Sequence, residues 1–181
     1  MIINISGPSG SGKTTITNYL VKEYPLIYNK LISYTSRAKR PKEQNGVDYH
    51  FVKKSSLSNE DDFVLKRDRK DGFYAIKKED LILGDDKILL TTLPPRGVLK
   101  IEELGFVVKC FYLSVPFIEC RKRMVNRGDK INKIRKRLSA DKKESDLDVE
   151  RKILYGRPIF VLDGCKSINE IGSLIHKILF T

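Results

Sequence analysis

The chain has 181 residues, a formal net charge of +12, and a composition of 40% hydrophobic and 9% aromatic residues. This length and composition predict one globular domain, and no apolar run reaches the ~18 residues that a membrane span needs. The first residues, MIINISGPSG, lack a basic and apolar leader, so we expect a cytoplasmic protein. Three cysteines without a C-x-x-C pair argue against a zinc site or a disulfide framework and favour reduced thiols.

In chain order, the first predicted elements are a strand, a loop and a helix. Residues 2–6 form a short apolar run, a glycine-rich turn follows, and residues 14–21 have helical spacing. Further apolar runs predict strands at 87–93, 106–115 and 158–162, and periodic patterns predict helices at about 96–104, 116–127, 131–147 and 167–180. Strands that alternate with helices predict a parallel sheet with both faces covered.

The segment from about residue 27 to residue 84 has a different pattern. Its short alternating stretches, such as YHFV, DFVL and GFYAI, are separated by glycine and Asn-Gly turns. We therefore expect a small β-rich insert on the α/β core.

A strongly basic segment lies between Arg121 and Lys143. It contains eleven Lys or Arg residues against Asp129 and Asp141, which gives a local charge of +9. A charge of this sign indicates polyanionic partners, such as nucleotide phosphates or nucleic acid. A solvated helix face is the alternative interpretation, because charge runs often do no more than face solvent.

The glycine-rich turn after the first strand has the spacing of a phosphate-binding loop. Residues 7–14, GPSGSGKT, fit G-x-x-x-x-G-K-[ST] between a predicted strand and a predicted helix. In such a loop the backbone N–H groups point at a phosphate group, the lysine bridges the β- and γ-phosphates, and the threonine hydroxyl is a ligand of Mg²⁺. Thr14 is the residue in that metal-binding position. We therefore expect ATP with Mg²⁺ to bind at Gly7, Ser9, Gly10, Ser11, Gly12, Lys13, Thr14 and Thr15.

A second candidate anion site lies in the β-rich insert. Arg37 and Arg40 flank a turn region that ends in an Asn-Gly pair, and Tyr49 and Tyr74 follow. Guanidinium forks and phenol hydroxyls match the several acceptor oxygens of a phosphate monoester. These four residues predict a site for a phosphorylated acceptor.

Two motifs resemble the guanylate kinase family, and the resemblance covers nearly the whole chain. GPSGSGKTT is similar to the family's phosphate loop, and SYTSRAKRPKEQNGVDYHFV is similar to its signature S-x-T-[TS]-R-x-x-R-x-x-E-x-x-G-x-D-Y-x-F. The resemblance implies a three-layer P-loop kinase fold of the α/β class with a parallel sheet core at about 1–32 and 85–181. It also implies a small β-rich lobe that binds a nucleoside monophosphate (NMP), at about 33–84, and a helical lid at about 121–143.

The resemblance also implies roles for individual side chains. The residues implied to hold the acceptor are Ser33, beside the base, and Arg37, Arg40, Tyr49 and Tyr74, on its phosphate. The lid arginines implied to close over ATP are Arg123, Arg127 and Arg137. The catalytic residues implied to stabilise charge or align the reactants are Lys13, Arg37, Arg123 and Arg137. The implied reaction transfers the γ-phosphoryl group of Mg·ATP to GMP or dGMP, with neither a membrane nor nucleic acid as partner.

Three departures from the family pattern fall at positions implied to read guanine. Leu65 stands where F-[LV]-E has a glutamate, and Ile76 stands where Y-G-T has a threonine. Residues 90–97, LTTLPPRG, contain no acid, whereas the family has L-D-I-D-x-Q-G. A slip of a few residues would bring Asp62 or Asp68 to the guanine site instead. Because a site built on hydrogen bonds discriminates by about 10⁴–10⁵, these losses predict relaxed or redirected base selectivity.

Three other hypotheses stay open at this point. A related kinase would phosphorylate a different nucleoside monophosphate or a phosphosugar. A non-catalytic interaction module of the same fold is disfavoured, because such modules tend to lose the phosphate loop, which is intact here. Binding of a polynucleotide through the basic segment is the weakest hypothesis, and it would require affinity that falls steeply with salt.

Overall fold

The computed structural model describes residues 1–39, 43–57, 62–69, 72–82, 86–144 and 147–180. Its strands are β1 Ile2–Ser6, β2 Tyr28–Lys30, β3 Tyr34–Thr35, β4 His50–Phe51, β5 Phe63–Arg69, β6 Gly72–Lys77, β7 Ile88–Thr91, β8 Val108–Ser114 and β9 Ile159–Asp163. Its α-helices are α1 Lys13–Glu23, α2 Lys78–Ile82, α3 Pro95–Glu102, α4 Phe117–Asn126, α5 Ile131–Glu144, α6 Leu147–Ile153 and α7 Ile168–Phe180. A 3₁₀ helix covers Lys54–Leu57. Within these ranges, no helix has the length and apolar character needed to cross a membrane.

The core is a five-stranded sheet in which all neighbouring strands are parallel, in the order β2-β7-β1-β8-β9. β1 lies at its centre, where Ile3 is in register with Leu90 of β7 and Lys109 of β8. Parallel neighbours require crossover connections, which place helices on the faces of the sheet. The predicted α/β class with a parallel sheet core is confirmed.

Side chains of β1 alternate between two hydrophobic layers, because successive residues of a strand point to opposite faces. Ile3 and Ile5 pack with Leu20 of α1 and Ile175 of α7. Ile2 packs on the opposite face with a cluster that includes Ile101 of α3. All these side chains are buried, and each such burial stabilises the fold by roughly 1.5–3 kcal/mol. The two layers fix β1, and therefore the start of the loop that follows it.

A second sheet is inserted between β2 and β7, with four strands in the order β4-β3-β6-β5. β6 pairs antiparallel with both β3 and β5, whereas β3 and β4 are parallel. Its own small core contains Leu57, Phe63 and Ala75. Ile76 and Leu65 belong instead to the cluster around Ile101 of the main core. Apolar contacts therefore attach this β-rich unit to the parallel sheet.

Two boundaries differ from the sequence-based expectation. The strand expected at 87–93 ends at Thr91, since Pro94 and Pro95 follow and proline has no N–H for a ladder. The helix expected to end at about 147 is followed by further helical residues, because α6 covers Leu147–Ile153 after α5 ends at Glu144. The two residues between α5 and α6 lie outside the described residues.

Candidate active site

The phosphate loop connects β1 to α1 at the carboxyl edge of the parallel sheet. Gly7 and Gly10 both have positive φ, at 131° and 86°. A Cβ atom at Gly7 would lie 2.8 Å from the carbonyl oxygen of Leu113, and one at Gly10 would lie 2.6 Å from that of Cys120. The left-handed backbone and the close approach therefore both require glycine. The loop is held tightly against β8 and α4.

Lys13 is folded back over this loop. Its Nζ atom donates to the carbonyl oxygens of Gly7, at 2.7 Å, and Pro8, at 2.9 Å. Burial lowers the pKa of Lys13 to about 8, and the largest opposing influence is the carboxylate of Asp141. Carbonyl oxygens are weaker partners for an ammonium than phosphate oxygens are, so a bound phosphate could replace them.

The hydroxyl-bearing residues Ser11, Thr14 and Thr15 of the predicted ATP site differ in their exposure to solvent. Thr14 and Thr15 are exposed in the first turn of α1, whereas Ser11 is buried. The Ser11 hydroxyl has no hydrogen-bond partner among the described residues. An unsatisfied buried hydroxyl costs free energy, which an oxygen of a bound ligand would recover.

The segment at 121–143, which we call the lid, lies against the loop at two points. Arg123 of α4 donates from Nη1 to the Ser11 carbonyl oxygen at 3.2 Å and from Nη2 to the Gly164 carbonyl oxygen at 3.0 Å. On α5, Asp141 accepts the backbone N–H of Ser9 with a distance of 2.7 Å to Oδ2. One basic and one acidic side chain of the lid therefore touch the phosphate loop.

The other two expected lid arginines are engaged within the lid. Arg137 Nη1 lies 3.1 Å from Asp129 Oδ2, and Arg127 binds the same carboxylate. These three residues connect the end of α4 to α5. The structure thus brings Arg123 to the phosphate loop and leaves Arg127 and Arg137 on Asp129.

Three of the predicted acceptor residues of the β-rich unit form one cluster. The guanidinium of Arg37 lies 5.1 Å from the ring centroid of Tyr49, and its Nε atom donates to the Tyr74 hydroxyl at 3.1 Å. The rings of Tyr49 and Tyr74 meet edge to face, with centroids 5.9 Å apart. Arg40 lies outside the described residues. Ser33 is half-buried nearby in sequence, and its carbonyl oxygen accepts the N–H of His50.

Glu43 completes this cluster and was not among the residues predicted. Its two carboxylate oxygens each lie 2.9 Å from a terminal nitrogen of Arg37, which is only 6% exposed. Such a two-point pair fixes both the position and the orientation of the guanidinium. The available signal was the acid within the same motif, six residues after Arg37.

A second acid that the sequence did not reveal lies beneath the phosphate loop. Glu150 of α6 is 1% exposed, and neither carboxylate oxygen has a hydrogen-bond partner among the described residues. Burial raises the pKa of Glu150, while the nearby Ser6 hydroxyl and Lys13 ammonium offset part of that rise. Ser6 donates instead to the Phe111 carbonyl oxygen at 3.2 Å. A buried carboxylate without a donor is a local cost to stability.

Comparison with known sequences agrees with these features over most of the chain. Residues 1–150 match the protein family described as Guanylate kinase. The chain belongs to the guanylate kinase family. A guanylate kinase of Chlamydia trachomatis is 33% identical over an alignment of 136 residues, and the match covers 69% of this chain and 63% of the relative. One of Protochlamydia amoebophila is 32% identical over an alignment of 148 residues, and that match covers 77% of this chain and 74% of the relative.

A solved guanylate kinase structure, from Anaplasma phagocytophilum, has the same fold. It superimposes with a TM-score of 0.70, covering 99% of this chain and 84% of that protein, at 22% sequence identity. Identity at this level supports the fold alone. The match to the Chlamydia trachomatis relative spans less than two thirds of that protein's length.

Two of the positions that the guanylate kinase resemblance assigns to base reading are apolar and adjacent in this chain. Leu65 of β5 pairs with Ile76 of β6 across the antiparallel ladder, and both belong to the hydrophobic cluster that contains Leu31 and Ile101. Asp68 is exposed and three residues from Leu65, so its side chain emerges on the other face of β5. The two replacements thus form one hydrophobic contact between the β-rich unit and the core.

Proposed function

We propose that this chain transfers the γ-phosphoryl group of ATP, bound with Mg²⁺, to the phosphate of GMP or dGMP and so forms a nucleoside diphosphate. The observation that carries the proposal is the complete phosphate loop with Lys13 and Arg123 on it. Family membership supports the same reaction. The activity would be that of a nucleoside monophosphate kinase.

The residues present suit ATP at the loop. Backbone N–H groups, the buried Ser11 hydroxyl and the Lys13 ammonium are all donors, and together they match the acceptor oxygens of a triphosphate. The lid adds the positive charge of Arg123 on the same loop. This donor set is the physical support for a nucleotide triphosphate as phosphoryl donor.

The residues present also suit a magnesium ion that arrives with the nucleotide. Among the described residues, no group of three or more His, Cys, Asp or Glu side chains could hold a metal ion. The exposed Thr14 hydroxyl offers one oxygen ligand, and Mg²⁺ in kinases takes its other ligands from phosphate oxygens and water. When bound, the ion neutralises charge that develops on the phosphate oxygens.

In the proposed reaction a phosphate oxygen of the acceptor attacks the γ-phosphorus, and the bond to the β,γ-bridging oxygen breaks. No catalytic base is needed, because the acceptor phosphate is already a nucleophile. Lys13 and Arg123 would stabilise charge on the moving group, and Arg137 would join them after leaving Asp129. Closure of the lid would exclude water and so prevent hydrolysis of ATP.

On the acceptor side, Tyr49, Tyr74 and Arg40 would donate to the acceptor phosphate. Arg37 would contribute positive charge and hold the Tyr74 hydroxyl in place, since Glu43 occupies most of its donors. This division of roles is a proposal about aligning the attacking oxygen, which accounts for much of the rate in phosphoryl transfer.

A coupled assay that detects ADP, run with GMP, dGMP, AMP, CMP and UMP, tests the proposal. We expect GMP and dGMP to be phosphorylated with the highest kcat/KM. Comparable turnover of AMP, CMP or UMP would defeat the guanylate assignment and favour a related kinase with another acceptor. ATP binding without phosphorylation of any acceptor would favour a non-catalytic module.

A further inference from the structure

The contact between Asp141 and Ser9 is unusual in its chemistry. The Ser9 N–H belongs to the loop proposed to bind a phosphate, yet here it donates to a carboxylate oxygen of the chain itself at 2.7 Å. Ser9 and Asp141 are 132 residues apart in sequence. A charge-assisted hydrogen bond of this length is among the stronger ones in proteins.

Asp141 reproduces two properties of a bound phosphate oxygen. It accepts a loop N–H, and its negative charge is the largest favourable influence on the buried Lys13 ammonium. Among the described residues, no Lys or Arg makes an ion pair with Asp141, although its segment carries eleven of them. The other acid of the segment, Asp129, pairs with Arg127 and Arg137. Asp141 is therefore directed to the loop rather than to its basic neighbours.

We propose that Asp141 is an internal substitute for a donor phosphate oxygen, which latches the lid to the phosphate loop until ATP displaces it. This inference rests on the proposed function, because it takes the loop to be the ATP site. A nucleotide must then break the Asp141 contact before it can bind. Only molecules in which Asp141 has left the loop can bind ATP. The apparent affinity for ATP is therefore the intrinsic affinity multiplied by the fraction of such molecules.

Asp141 is thus a positioning residue of the lid and makes no contact with the reacting atoms. It keeps α5 close to the loop before ATP arrives. Once displaced, its carboxylate is repelled by the phosphates, so α5 must change position before the lid closes over the nucleotide with Arg137. Donor binding and lid movement are coupled through this one side chain.

The test measures ATP affinity by calorimetry in wild type, Asp141→Asn and Asp141→Ala, with Mg²⁺ and with EDTA. We expect both variants to bind ATP roughly tenfold more tightly in both conditions, as loss of a charge-assisted hydrogen bond predicts. The KM for ATP should fall by a similar factor, with kcat changed less than about threefold. A merely structural role for Asp141 would not lower KM selectively.

Asp148→Asn is the matched control, since it removes the same charge from the neighbouring helix α6. The Asp148 side chain is 81% exposed and pairs loosely with Arg151 at 3.9 Å. We expect its affinity for ATP to stay within about twofold of wild type, because charges exposed to solvent are screened.

A second readout follows the contact itself in the absence of nucleotide. Hydrogen exchange by NMR should show the Ser9 amide exchanging roughly tenfold faster in Asp141→Ala, and unchanged in Asp148→Asn. Equal protection of Ser9 in wild type and Asp141→Ala would overturn the latch, even if a variant were too unstable for calorimetry.

The outcomes separate the latch from the proposed function. If no monophosphate is phosphorylated while both Asp141 variants bind ATP more tightly, the kinase assignment fails and the latch stands. If GMP is phosphorylated but the variants bind ATP as wild type does, the latch fails alone. If Asp141→Asn bound ATP more weakly than wild type with Mg²⁺ but not with EDTA, the latch would also be overturned. Such a result would mean that the Asp141 carboxylate helps to bind the Mg²⁺ ion.

Discussion

The proposed donor side of the site, which is the phosphate loop with Lys13 and the lid, is built in a different way from the proposed acceptor side around Arg37. The donor side relies largely on backbone groups, held by Gly7 and Gly10, whose conformation and surroundings admit no side chain. The acceptor side relies on side chains from separate strands, with Arg37 fixed by Glu43 and Leu65 packed beside Ile76. A surface made of backbone is constrained as a unit, whereas one made of side chains can change one position at a time. Selectivity can therefore drift on the acceptor side while the donor side stays intact.

The largest effect we expect comes from the Lys13 side chain on the donor side. Lys13→Ala should lower kcat by roughly 10²–10³-fold, because it removes a preorganised charge at the transferring phosphoryl group. The coupled assay with GMP measures this loss. Lys22→Ala, on the same helix and 84% exposed in its side chain, should leave kcat within about twofold of wild type. More than a tenth of wild-type activity in Lys13→Ala would contradict the assigned role.

A matched pair of alanine substitutions tests whether glycines fix the conformation of the phosphate loop. Gly10 and Gly105 have nearly equal φ, at 86° and 87°. A Cβ at Gly10 meets the Cys120 carbonyl oxygen at 2.6 Å, whereas one at Gly105 has nothing within 4 Å. Alanine is strained in the left-handed backbone conformation at both positions, but only Gly10→Ala also introduces a steric clash.

We expect the free energy of unfolding to fall by about 1 kcal/mol in Gly105→Ala and by roughly 1–3 kcal/mol more in Gly10→Ala. Urea denaturation measures both values. ATP affinity should fall in Gly10→Ala alone. Equal losses of stability in the two variants would show that the contact with α4 does not constrain the loop.

On the acceptor side, a single side chain should shift selectivity. Leu65→Glu restores the acid that the family pattern has at this position and should raise the ratio of kcat/KM for GMP over AMP by about tenfold. Leu65→Met keeps the volume without a charge and should leave that ratio unchanged. If the glutamate variant has the wild-type ratio, Leu65 does not face the base.

The smallest effect concerns the interior beneath the donor side. Among the described residues, none donates a hydrogen bond to the buried carboxylate of Glu150, and its pKa is raised in the folded state. The folded state therefore favours the protonated form of Glu150. The free energy of unfolding of the wild type consequently falls as pH rises above the ordinary pKa of a glutamate. Glu150→Gln should raise the free energy of unfolding at pH 7 by about 1–2 kcal/mol. The difference from wild type should shrink towards pH 4, as urea denaturation across this range would show.

Glu170, whose pKa is shifted in the opposite direction, provides the control for that pH dependence. Glu170 accepts from the hydroxyl and the backbone N–H of Ser167, which lower its pKa. Glu170→Gln should therefore reduce stability near neutral pH, and the loss should vanish as pH falls. Two glutamate substitutions with effects of the same sign at pH 7 would contradict this account.

The fold and the donor loop could be predicted from the sequence because their determinants are local. Glycine spacing followed by Lys13 identifies a phosphate loop, and apolar runs such as residues 2–6 identify buried strands. Element boundaries were less predictable where prolines or short helices intervened, as at Thr91 and Leu147.

The acids of the site could not be predicted because their partners are distant or ambiguous in sequence. Nothing at residue 141 indicates that its carboxylate meets Ser9 rather than one of many nearby cations. Glu150 falls in an ordinary polar helix pattern, and only the packing of α6 against the core reveals its burial. Glu43 lay within the recognised motif, but its pairing with Arg37 became evident only in three dimensions.

The buried side chain of Asn4 has a consequence for how easily this site could be re-engineered. Its amide accepts the N–H of Leu93 at 2.7 Å and donates to the carbonyl oxygen of the same residue at 3.2 Å. The chain just beyond β7 is therefore anchored by β1, independently of what stands at the exposed Thr92. An acid introduced at Thr92 would therefore need no new backbone support, so a single substitution is enough to place a carboxylate at the end of this strand.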